Sequence, residues 1–173
     1  MSALVVYESV YGNTREVAEA IASGLKDARV VSVHEVTSQV TTADLLVVGG
    51  PTHVHGLTSK RSRTTAVQSA HGAVLPDATD EPGLRDWLAD LPKVANAQAA
   101  AFDTRAHGPR VLTGTASHGI ARRLRHHGYR LLESESFLVE APEGPLAEGE
   151  LERARQWGAR LAKALPTGHE AVR

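Results

Sequence analysis

The sequence predicts a doubly wound α/β domain, a five-stranded parallel sheet in the order 2-1-3-4-5 with helices on both faces. Three observations predict it. Short apolar, β-branched runs alternate with amphipathic helical segments along the chain. Right-handed crossovers leave few ways to arrange such an alternation. Loops rich in glycine, hydroxyl and histidine residues follow the first, third and fourth strands, on the edge where doubly wound sheets bind ligands. At 173 residues the chain has the length of one domain, expected over 1–165 with 166–173 as a tail.

Residues 3–7 (ALVVY) are a continuous apolar run, short enough for a strand buried on both faces. From Asn13 onward, Val17, Ile21 and Leu25 recur every four residues while Arg15, Glu16, Glu19 and Lys26 fall opposite, which is an amphipathic helix. Asn13 with Glu16 resembles a capping box, and Thr14 is the other candidate cap. Residues 30–36 alternate Val31 and Val33 with Ser32 and His34, a strand with one wetter face. Residues 45–48 are again fully apolar and are left through Gly49, Gly50 and Pro51.

The link at 37–42 is short. A parallel return covers roughly 17 Å plus a sideways step of about 4.8 Å per strand, and six extended residues reach only about 20 Å, so no full helix is expected there. Residues 58–78 read as loop with one or two helical turns, because Gly72 and Pro76 break any period beyond Lys60, Arg61 and Arg63. After Pro82, the spacing of Leu84, Trp87, Leu88 and Leu91 predicts a short helix that stops at Pro92. A buried strand follows at 97–102, a helix over 116–127 with Ile120 and Leu124 inward and Gly128 at its end, a strand over 129–139, and a last helix over 146–165.

Composition narrows the chemistry. Nineteen Lys and Arg against twenty Asp and Glu give a formal charge of -1, which supplies no global field for nucleic acid or an anionic membrane. The basic run from Arg122 to His127 ends a predicted helix, where cations complement the dipole, and reads as a solvated helix end. No cysteine is present, so thiolate metal sites, iron–sulfur clusters and cysteine nucleophiles are excluded. With no leader pattern and no apolar run of about 18 residues, the expected location is the cytoplasm. Two Trp, three Tyr and two Phe are the whole aromatic supply, and of these Tyr11 alone lies in a predicted ligand loop.

That first loop, Glu8-Ser9-Val10-Tyr11-Gly12-Asn13-Thr14, joins a buried strand to a helix start, where free amides and the helix dipole favour an anion. It carries hydroxyl and amide donors but no Lys or Arg, and it lacks the Gly-Lys-Ser/Thr ending of a triphosphate loop. A phosphate monoester suits it; a plain capped βα turn is the other reading. The pattern Ser9-Val10-Tyr11-Gly12-Asn13-Thr14 resembles the phosphate loop of the flavodoxin family, Ser/Thr-x-Thr-Gly-x-Thr, with Tyr11 in place of a threonine. Its Ser-x-Tyr-Gly form is similar to the flavodoxin-like quinone reductases of the tryptophan-repressor-binding-protein type. Gly50-Pro51-Thr52 after the third strand, and the helix and strand pattern over nearly the whole chain, extend the likeness.

The resemblance implies FMN, its phosphate held by Ser9, Val10, Tyr11, Gly12, Asn13 and Thr14. It implies a ring flanked by Pro51, Thr52, His53, Val54, His55 and Gly56 on one side and by Asp103, Thr104, Arg105 and Gly108 on the other. It also implies a reductant, NAD(P)H or a redox protein, and a small acceptor such as a quinone. His53 and His55 are candidates for handling protons, since imidazole titrates near neutrality. A metal held by them with His107 or Asp103 is disfavoured, because residues two apart share a side only on a strand. Lys60, Arg61 and Arg63 are read as a docking patch for a phosphorylated reductant or an acidic partner. An electron carrier, or a binding module whose flavin site has degenerated, are the alternatives; carriers are typically acidic and stack rings on the flavin, and neither feature is found here.

Overall fold

In this computed structural model the residues described are 2–36, 40, 42–53, 56–109 and 114–165, so most of the link at 37–42 and the whole tail at 166–173 lie outside them. Five long strands form one parallel sheet: β1 (Ala3–Tyr7), β2 (Ala28–Ser32), β3 (Leu45–His53), β5 (Gln98–Ala106) and β6 (Arg130–Val139), in the order β2-β1-β3-β5-β6. This is the expected 2-1-3-4-5 arrangement. A sixth strand, β4 (Gly56–Leu57), is an addition the sequence did not predict: it folds back antiparallel on the end of β3, pairing Gly56 with His53.

Because successive strand residues point to opposite faces, each buried strand feeds two cores. Leu4, Val6, Leu46 and Val48 pack with Leu84 and Leu88 of α3 (Leu84–Ala89) and with Ile120 and Leu124 of α4 (Ala116–His126). Val5, Leu45, Val47 and Ala100 face α1 (Asn13–Leu25) and α5 (Glu150–Ala164), contributing to a cluster with Ile21, Trp157 and Leu161. Phe102, Phe137 and Trp157 meet edge to face at centroid separations of 6.1 to 6.5 Å. Most of the scarce aromatic residues are thus spent on the core. α1 and α5 meet backbone to backbone: a Cβ at Gly158 would lie 2.2 Å from the Ile21 carbonyl oxygen, and one at Gly24 would lie 2.0 Å from that of Arg155.

Several boundaries differ from the sequence reading, each for a pairing reason. β2 covers 28–32 rather than 30–36, since it runs in register with β1 from Ala3 opposite Ala28 and then turns where Val33 donates its amide to Tyr7. β5 continues past 102 because β3 and β6 go on pairing with it, as far as Pro51 opposite Thr104 and Val139 opposite Ala106. α5 begins at Glu150 and not near 146, because Leu146 bridges back to Val139. The cap of α1 is Gly12, not Asn13 or Thr14.

The largest correction is α2 (Lys60–Ser69), a ten-residue helix where a loop with one or two helical turns was expected. Ser59 and Ser62 close a reciprocal capping box at its start. No residue of α2 belongs to either apolar cluster, and its one buried side chain is Arg63. A helix fixed by an ion pair shows no apolar period, so the usual signal was missing.

Candidate functional site

The ends of β1, β3, β5 and β6 converge on a cleft of about 110 Å³. The first loop lines it with Ser9, Val10, Tyr11, Asn13 and Thr14, and β3 adds Pro51, Thr52 and His53. Thr104, Arg105 and Ala106 of β5 form the far wall, and Val139 and Pro142 close the end.

The first loop is an open helix start. Gly12 takes a left-handed φ of 98°, and no side chain caps α1. A Cβ at Gly12 would meet nothing within 4 Å, so conformation rather than space selects glycine. Ser9 turns its hydroxyl inward and accepts from the Gly12 amide at 3.1 Å. The leading amides of α1, at the positive end of its dipole, are left for an anion. Thr14 and Thr104, both buried, bring their hydroxyls within 2.8 Å and tie this loop to β5.

The walls are held from behind. Thr52 accepts the amide of Ala116 at 2.9 Å and Asp103 accepts that of Ser117 at 2.7 Å. Together they cap α4, whose own Thr115 provides no side-chain cap. Arg105 donates to the Gly108 carbonyl at 2.9 Å and to that of Ala106 at 3.3 Å, which folds its guanidinium onto its own loop. His53 is half-buried; burial pushes its imidazole below the ordinary 6.5, the Glu8 carboxylate opposing this and the Arg63 guanidinium adding to it.

Behind the first loop lies a buried ion pair. Arg63 is 0% exposed and Glu8 is 1% exposed, and the guanidinium donates to the carboxylate at 3.3 Å. The same carboxylate accepts from the Thr58 hydroxyl and, at 2.7 Å, from the Leu84 amide at the start of α3. Arg63 also donates to Glu81 at 2.9 Å. Glu8 therefore joins the root of the first loop to α2 and α3. Arg63 is removed from the expected docking patch, since no partner protein can reach it.

On the α2 side a wider groove of about 600 Å³ adjoins the cleft and shares Tyr11, Thr52, His53 and Pro142 with it. Tyr11 stands on the border, donating its hydroxyl to the Ala66 carbonyl of α2 at 2.9 Å. Burial raises the Tyr11 phenol pKa, and nearby Glu143 raises it further. Glu143 accepts the His71 amide at 2.9 Å, tying the turn after β6 to the end of α2.

Of the residues expected at a cofactor, Ser9, Val10, Tyr11, Asn13, Thr14, Pro51, Thr52, His53, Thr104 and Arg105 meet around the cleft, and Gly12 shapes its helix start. Gly56, Asp103 and Gly108 stand apart: Gly56 pairs with His53 in the hairpin, Asp103 caps α4, and Gly108 receives Arg105. Val54 and His55 lie outside the described residues. The sequence reading missed the turn around Pro142 and the wall made by α2. Applying the strand-end rule to the last strand as well would have found Pro142, because Pro142, Gly144 and Pro145 crowd the loop that follows it. Among the described residues, no group of three or more metal-ligating side chains is placed to hold a metal, and no helix is long and apolar enough to cross a membrane.

Comparison with known proteins agrees with this geometry. A family model described as a flavodoxin domain matches residues 4–71, from β1 through the first loop to the end of α2. No curated protein matches the chain significantly in sequence. Among solved structures, oxidised flavodoxin 1 from Bacillus cereus superposes with a TM-score of 0.66 at 20% identity, over 96% of this chain and all (100%) of that one. A flavodoxin from the domain Archaea gives 0.62 at 20% identity, over 95% and 99% of the two chains. A WrbA-like flavodoxin from Agrobacterium tumefaciens gives 0.58 at 19% identity, over 94% and 95%. The flavodoxin-domain match runs through the open helix start, and over the remaining strands the chain has the flavodoxin fold.

Proposed function

We propose that this protein binds FMN and acts as an oxidoreductase, passing electrons from a reductant, nicotinamide included, to a small acceptor such as a quinone. The observation that carries the reading is the uncapped, left-handed start of α1 opening into a cleft beside the wider groove. The donor set fits a phosphate monoester: leading helix amides and the polar side chains of Ser9, Asn13 and Thr14, with no lysine in the loop. Pro51, Thr52 and His53 on one wall and Thr104 and Arg105 on the other would flank the ring. FMN supplies reversible electron transfer at its ring system. His53, kept neutral at neutral pH, offers one donor and one acceptor nitrogen beside it. A cytoplasmic setting suits a chain without cysteine.

Titrating FMN into the purified protein tests the reading: fluorescence should quench at stoichiometric binding. A colourless protein that leaves FMN emission unchanged would reject it. The fold shared with flavodoxins favours a second reading, an electron carrier, which predicts FMN binding but no NAD(P)H–quinone turnover unless a separate reductase is added.

A further inference from the structure

Three cations open α2, and the structure commits two of them. Arg63 is buried against Glu8 and Glu81, and Lys60 lies 3.9 Å from Glu81. Arg61 is exposed, forms no ion pair among the described residues, and lines the wide groove. Among the described residues no carboxylate lines that groove, and the first turn of α2 holds no acidic residue. Arg61 is therefore the one full charge among the described lining residues, reinforced by the positive end of the α2 dipole, with Glu143 beside Tyr11 as the nearby carboxylate.

The rest of the lining sets the shape of an occupant. Tyr11, Ala66 and Pro142 contribute apolar surface, while Thr65 and Ser69 add exposed hydroxyls. The Ser59 and Ser62 hydroxyls are engaged in the capping box and are not spare donors. A volume of about 600 Å³ falls inside the usual range of roughly 300 to 1,000 Å³ for small-molecule sites.

We propose that this groove is a subsite distinct from the phosphate cleft, taking a planar aromatic molecule with one anionic group, the anion on Arg61 and the ring against Tyr11, Ala66 and Pro142. Its role rests on the oxidoreductase reading: the shared lining of Tyr11, Thr52, His53 and Pro142 puts it wall to wall with the cleft, where the electron acceptor must sit. The reading thus narrows the acceptor from any small quinone to an anionic one. Arg61 becomes the residue that determines specificity.

The test is equilibrium dialysis of the full-length protein as purified, with and without added FMN, against naphthoquinone sulfonate and the neutral menadione. With no cysteine in the chain, these quinones have no thiol to alkylate. Wild type should bind the sulfonate about tenfold tighter than menadione, as a charge-assisted contact predicts, and less so in high salt. Arg61→Gln should reduce that preference to within about twofold while leaving menadione affinity unchanged. Thr65→Trp, which fills the groove from an exposed position on α2, should abolish binding of both probes and leave the FMN titration intact. Equal affinity for the two probes in wild type, a preference that survives Arg61→Gln, or no binding of either probe would each overturn the proposal. Probe binding is read separately from FMN binding, so failure of the FMN titration alone would reject the cofactor reading and leave the subsite standing.

Discussion

Arg63 on α2 and Glu8 at the root of the first loop form a hydrogen-bonded ion pair sealed from solvent, 55 residues apart in sequence. Burying two charges is costly, and the pair is supported by Thr58 and Leu84, which donate to Glu8, and by Glu81, which accepts from Arg63, while the Arg63 Nε has no partner among the described residues. Removing one partner strands the other. Arg63→Met should cost about 3 to 5 kcal/mol in urea unfolding, and Glu8→Gln with Arg63→Met together should cost less than the sum of the single changes. A stability of Arg63→Met within about 1 kcal/mol of wild type would sink this account.

The hydroxyl bond between Thr14 and Thr104 links the first loop to the far wall of the cleft. Thr14→Ala should weaken FMN binding about tenfold, equivalent to one hydrogen bond, while riboflavin, which lacks the phosphate, should lose little. Fluorescence titrations of both flavins give the ratio. An equal loss for both would move Thr14 from a phosphate contact to a purely structural role.

His53 supplies a pH signature. Its folded pKa lies below the ordinary 6.5 because burial disfavours the cation. As pH falls through the unfolded value, the unfolded chain binds protons that the folded imidazole still refuses, so the His53 contribution to stability is lost on acidification. NMR titration of the ring should place its midpoint below 6.5, and His53→Gln should flatten the stability slope between pH 7 and the folded midpoint. A midpoint at or above the ordinary value contradicts the burial.

The crossing of α1 and α5 has no room for a methyl group. Gly158→Ala would push a Cβ into the Ile21 carbonyl, so the helices must separate or the backbone must shift. The expected loss is about 1 to 3 kcal/mol by thermal or denaturant unfolding, with the first loop, carried on α1, loosened as well. Unchanged stability would mean that the helices separate freely.

Strand order, helix order and the ligand edge could be read from the chain because their causes are local. The run at 3–7 and the four-residue recurrence of Val17, Ile21 and Leu25 declare their period within a few residues. Parallel crossovers then leave little topological choice. The cleft was legible for the same reason: its lining comes from the carboxyl ends of strands and the segments that directly follow them. α2 was not legible, because it buries a charge rather than an apolar stripe. Neither was the role of Asp103, which looked like a ligand-loop residue until α4 was seen to rest its amide on it.

Local pattern therefore settled the architecture and the family likeness of the first loop, whereas the uncapped helix start at Gly12 emerged only in the fold. Folding assigned the charged residues. Lys60, Arg61 and Arg63 look alike in sequence, yet one pairs at the surface, one is left exposed on a groove and one is sealed in the interior. The difference depends on where Glu8 and Glu81 arrive in space, and whether a charge can be buried is decided by partners that lie far away along the chain.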